Sequence, residues 1–168
     1  MLDFVLGGPT KSTFDLVVKI RVGFLFIGLA LAVAPFFMGT PSGAVMSLEL
    51  TNKIMIGLYS VFFLQFLLVP GFFLDENFVA PPDARIRGEN HTLVVFFMRL
   101  FGMLGGFFLY IIYTSDPATM YPLLCAFTAL TAFIGPIKAE LQFHMTPKHV
   151  IAVIVFLAMG VVLFLGAL

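Results

Sequence analysis

Most of the residues that soluble chemistry relies on are scarce in this sequence. Charged side chains make up 11% of its 168 positions, against roughly 25% in soluble domains. Tryptophan is absent, and the single cysteine, Cys125, has no partner within the chain for a disulfide. It sits in an apolar run, where an inert, buried thiol is expected. Nine basic residues balance nine acidic ones, so no excess of positive charge points to a nucleic-acid partner. Histidine occurs only as His91, His144 and His149, and none lies mid-way along an apolar run, where a haem or chlorophyll ligand belongs. No cysteine or paired acid joins His144 and His149 at ligand spacing, so no metal site is expected. The metalloprotease, redox, nucleotide-binding and serine-hydrolase signatures are all missing, and no catalytic residues are assigned.

What fills the space is hydrocarbon. Hydrophobic residues reach 61%, and the mean hydropathy is +1.09. A soluble fold of this size has too little interior for that much apolar surface, so lipid is expected to be part of the solvent. Five apolar runs stand out: 22–38, 54–74, 93–113, 118–137 and 150–168. Each is close to the ~20 residues that carry a helix across ~30 Å of hydrocarbon. Strands of a membrane barrel would alternate polar and apolar residues, and these runs do not. The expected fold is all-α: a single polytopic domain over 1–168 with about five transmembrane helices and short loops.

Helix-start chemistry supports this division. Ser12-Thr13-Phe14-Asp15 can cap a helix leading into the first run, Asp116-Pro117 opens the fourth, and Thr146-Pro147 opens the fifth. Ala32-Val33-Ala34 imitates a signal-peptidase site, but Pro35 would follow the cut, so the first run is expected to be retained. Five crossings also sort the basic residues. Lys11, Lys19, Arg21, Arg85, Arg87, Arg99, Lys138 and Lys148 fall on the N-terminal side, and only Lys53 on the other. The positive side is the one from which insertion proceeds, which places the N-terminus in cytosol, matrix or stroma and the C-terminus opposite. An organelle inner membrane or a thylakoid is the expected host. Tyr110, Tyr113 and Tyr121 gather round the third connection, as an interfacial belt would.

Few polar residues interrupt the runs. Arg99 falls six positions into the third, roughly 9 Å along a helix at ~1.5 Å per residue. Gln65 lies at a similar depth in the second. Arg99 is expected to meet Gln65 or the loop acid Glu140, or to extend to lipid headgroups. Gly102 and Gly106 form a small-residue step that lets two helices approach closely, with Gly105 beside it. Gly23, Gly28 and Ala32 form a looser one in the first run. Phenylalanine accounts for 22 residues, with adjacent pairs at 36–37, 62–63, 72–73, 96–97 and 107–108. Neighbours on a helix point ~100° apart, so each pair covers a broad face suited to lipid or to partner helices. The polar connection 75–92 ends in an interfacial cluster of Arg85, Arg87, Glu89, Asn90 and His91.

The functional expectation is a non-catalytic accessory subunit of a larger membrane assembly, respiratory or photosynthetic, and not an enzyme. Its partners would be the bilayer and other membrane subunits. No cofactor is indicated; bound lipid, pigment or quinone contacts suit the phenylalanine-rich faces. Two alternatives stand beside it. One is a small oligomeric transporter or channel, in which Arg99 and Gln65 would line a wet cavity and Gly102 and Gly106 would assemble subunits. The other is a lipid-modifying enzyme using Arg85, Arg87, Glu89, Asn90 and His91 as a headgroup site.

Overall fold

The computed structural model describes residues 11–70, 89–140 and 147–168. Among them are five helices: α1 (Lys11–Met38), α2 (Leu48–Leu68), α3 (Glu89–Thr114), α4 (Pro117–Glu140) and α5 (Pro147–Ala167). Three carry stretches long and apolar enough to cross a bilayer, at Lys19–Met38, Leu48–Leu68 and His91–Thr114. Shorter apolar stretches, Pro117–Ala132 and Ile154–Ala167, belong to α4 and α5.

Local chemistry sets the helix ends. Gly39, at φ +82°, takes the left-handed conformation that closes α1, and its N–H donates to the Pro35 carbonyl. Ser47 caps α2 by accepting from the Leu50 N–H at 3.3 Å. The helix therefore starts six residues before the apolar run at 54, taking in Thr51, Asn52 and Lys53. It also stops earlier than the run does. Val69 precedes Pro70, whose ring disfavours helical geometry in the residue before it, and Val69 sits at φ −133°. Segment 71–74 of that run lies outside the described residues. Asp116 caps α4 as expected: its carboxylate accepts the Thr119 N–H and hydroxyl, each at 2.9 Å. Those two bonds hold its carboxyl below the usual range.

Other expected boundaries shift. Residues 12–15 lie within α1 and do not precede it. Glu140 is the last residue of α4, so it is helical where a loop was expected. The polar connection is shorter than 75–92, because α3 already begins at Glu89, and an acid at a helix N-terminus is favourable. Thr146 lies outside the described residues.

Packing follows small residues. The closest pairing joins α1 to α4, where a Cβ on Gly28 would come within 2.9 Å of the Ala129 methyl. Next is α2 with α3, and then α5, which fills the space beside α1 and α2. Phe63 and Leu67 meet Gly105 and Gly102 in reverse order, so α2 and α3 are antiparallel. Arg21 meets Phe156, and Phe24 meets Gly160, so α1 and α5 run the same way. Asn52 reaches Pro117, and Tyr59 reaches Thr128, so α2 and α4 share the opposite direction. The core is a column of Met55, Tyr59, Phe63, Leu124, Cys125, Met159 and Leu163. Cys125 is fully buried and free.

The outside is as apolar as the inside. Phe36, Phe37 and Met38 are 81%, 84% and 86% exposed. The phenylalanine pairs spread over wide faces: Phe63 is buried beside half-buried Phe62, and Phe107 points out beside half-buried Phe108. Phe72 and Phe73 lie outside the described residues.

Candidate functional site

The polar groups inside the bundle are mostly joined to one another. The Tyr59 hydroxyl donates to Thr128 Oγ1 at 2.8 Å and lies 3.4 Å from Thr131 Oγ1. Thr128 passes its own proton to the Leu124 carbonyl, and Thr131 to that of Thr128. The Tyr59 ring is wedged between Phe63 and Phe127, with centroids 6.1 and 4.9 Å away. Tyr121 donates to the Leu163 carbonyl at 2.6 Å, tying α4 to α5. It is fully buried and so leaves the expected interfacial belt, whereas Tyr110 and Tyr113 are exposed. Ser60 bonds back to Ile56 within its own helix.

A second polar group sits where α2, α4 and α5 converge. Asn52 Nδ2 donates to the Pro117 carbonyl at 3.2 Å, while its Oδ1 is buried without a partner. Thr51 is packed against Gly166 so closely that a Cβ there would fall 2.6 Å from the threonine hydroxyl. Ser42 donates to the carbonyl of Leu168 at the same end.

Arg21 is only 5% exposed, and its guanidinium lies 5.2 Å from the centre of the Phe156 ring. From the sequence, Arg21 counts only as a basic residue on the N-terminal side. One signal could have placed it inside: Arg21, Gly28 and Ala32 recur at spacings of seven and four, which is one face of a helix, and all three are buried. Tyr59 could also have been anticipated, since a tyrosine deep in an apolar run needs a partner for its hydroxyl. The signal for its partner was the Thr128, Thr131 spacing on α4.

The two polar residues expected within apolar runs, Arg99 and Gln65, do not join this interior network. Arg99 and Gln65 are both exposed on the outer surface, and they do not bond to each other. Among the described residues the one ion pair is Lys53 with Glu49, at 2.6 Å on the surface. The Glu140 side chain lies outside the described set. Gly102 is pressed against α2, where a Cβ would meet the Phe63 carbonyl oxygen at 2.9 Å. Gly105 meets the Phe63 ring. Gly106 faces open space.

Of the interfacial cluster, Arg85 and Arg87 lie outside the described residues. Glu89, Asn90 and His91 form the first turn of α3, where His91 is half-buried. His144 lies outside the described residues, and His149 falls in the first turn of α5. Among the described residues no three histidines, cysteines or acids come together as metal ligands. What the interior hydroxyls can do chemically is hold helices in register.

No protein-family model matches this chain, and no curated protein or solved structure is significantly similar to it.

Proposed function

We propose that the chain is a non-catalytic subunit of a larger membrane protein assembly, crossing the bilayer five times with its N-terminus on the positively charged side. The carrying observation is how the polar groups divide. The hydroxyls of Tyr59 and Tyr121 donate across to neighbouring helices, and those of Thr128 and Thr131 donate within α4 while Thr128 accepts from Tyr59. These interior hydroxyls are engaged inside the bundle, while the outer surface presents large apolar side chains on every helix. A monomeric soluble protein rarely exposes a contiguous apolar patch above a few hundred Å². The alternating helix directions support five successive crossings, and so does the sequence, in which five crossings would sort eight of the nine basic residues to one side.

A transport route within one chain gains no support from the outward placement of Arg99 and Gln65; any such route would have to form between subunits. The test is native size after extraction in a mild detergent. Migration together with other proteins, in a complex far larger than any small oligomer of the 18.5 kDa chain, supports the subunit reading, and migration alone or as a small homo-oligomer overturns it.

A further inference from the structure

Helix α3 is the outermost of the bundle, lying along α2 and touching α4 only lightly. Gly102, Gly105, Leu109 and Ile112 form its inward side. The rest of its circumference divides into two unlike strips. Leu93, Phe97, Leu104 and Ile111 share one face, wholly apolar and suited to lipid tails. Arg99, Met103, Gly106, Tyr110 and Tyr113 share the other, at alternating spacings of four and three, and all five are exposed.

Lipid alone suits that second strip poorly. A guanidinium at this depth calls for a counter-charge or water. Bare backbone at Gly106, where a Cβ would meet nothing within 4 Å, leaves room for the crest of another helix. No carboxylate among the described residues pairs with Arg99.

Building on the subunit reading, we infer that this strip docks a transmembrane helix of a different protein that carries a carboxylate at the depth of Arg99. Charge complementarity decides against a second copy. Two copies in one membrane share orientation, so their strips would bring Arg99 to Arg99. The five apolar runs contain no aspartate or glutamate, and the acid of α3 itself, Glu89, lies ten residues away, roughly 15 Å along the axis.

The probe is a leucine- and alanine-rich single-span peptide with one aspartate at the depth of Arg99, compared with its asparagine counterpart. Full-length chain with a donor fluorophore and peptide with an acceptor are mixed in phosphatidylcholine vesicles. The aspartate peptide should give half-maximal energy transfer at a peptide-to-lipid ratio at least tenfold lower than the asparagine peptide. Arg99→Leu should abolish that preference, Gly106→Leu should weaken both peptides, and Leu104→Ala on the lipid strip should change neither. Arg99→Asp should reverse the preference towards a lysine peptide, which keeps the test decisive if the leucine variant misfolds.

Equal transfer from the aspartate and asparagine peptides overturns the inference. So does loss of the preference when phosphatidylglycerol is added, which would assign Arg99 to a lipid phosphate. Transfer between two copies of the chain that Gly106→Leu removes overturns it in favour of self-association. Native size separates the two readings. Wild type and Arg99→Leu migrating in the same large complex keep the subunit reading and remove this docking face. Wild type migrating alone removes the subunit reading.

Discussion

Substituting alanine at Gly102 and, separately, at Gly106 makes a matched pair on one helix. In an exposed helix interior the change itself favours the helix by ~1 kcal/mol, and that gain is common to both variants. The surroundings are not. At Gly102 the new methyl lies 2.9 Å from the Phe63 carbonyl oxygen and 3.0 Å from the Leu67 amide nitrogen. Both are backbone atoms of α2, which cannot rotate aside as a side chain does, so the two helices must separate by several tenths of an ångström. Overpacking of this kind costs ~1–3 kcal/mol. At Gly106 the methyl meets nothing. The Gly106→Ala protein should therefore be the more stable of the two by ~1–3 kcal/mol, roughly a 5- to 150-fold difference in unfolding constant. Reversible unfolding in mixed micelles with increasing dodecyl sulfate, followed by circular dichroism, measures this directly. Equal midpoints for the two variants would refute the close contact between α2 and α3.

Other expectations follow from single groups. Tyr59→Phe removes one interhelical hydrogen bond but leaves the Thr128 proton on Leu124, so the same unfolding assay should show a loss of only ~0.5–1.5 kcal/mol. A loss above ~3 kcal/mol would mean that the Tyr59 hydroxyl holds more than this one bond. Arg99→Leu should leave the stability of the isolated chain within ~0.5 kcal/mol of wild type, because it has no partner among the described residues; a clear loss would imply an internal partner. The Asp116 carboxyl is held below its usual value in the folded state, so its contribution is complete above the unfolded value near ~3.9 and fades as pH falls through the folded one. Asp116→Asn keeps the cap acceptor without the titration and should flatten that part of an acid unfolding curve. A variant curve that follows wild type throughout would remove Asp116 from the pH dependence.

The sequence made some parts of this fold legible because they depend on neighbours along the chain. The order of the five helices and the Asp116 cap belong here, since apolar run length and a capping acid act within a few residues. The start of α2 was hidden for the opposite reason. Thr51 and Asn52 look like loop residues by hydropathy, yet they are buried because Gly166 and the Pro117 carbonyl, more than sixty positions away, receive them. Tyr121 resembled a belt residue for the same reason: nothing nearby in sequence reveals the Leu163 carbonyl that accepts its proton. Gly102, Gly105 and Gly106 are alike in a one-dimensional reading, and only the direction of α2 decides which of them lie against it.

The pairing of α1 with α4 has a consequence for biogenesis. Gly28 and Ala129 are about a hundred residues apart, which at roughly 5–20 residues per second is on the order of 5–20 s of synthesis. The α2–α3 hairpin can close as soon as its second arm emerges, whereas α1 must wait with its glycine face uncovered. During that interval Arg21 has no Phe156 to lie against, because α5 emerges later still. Nascent chains arrested after α3 should therefore hold a settled hairpin and an unpaired first helix. That helix is the part of the molecule left longest without the neighbour it packs against.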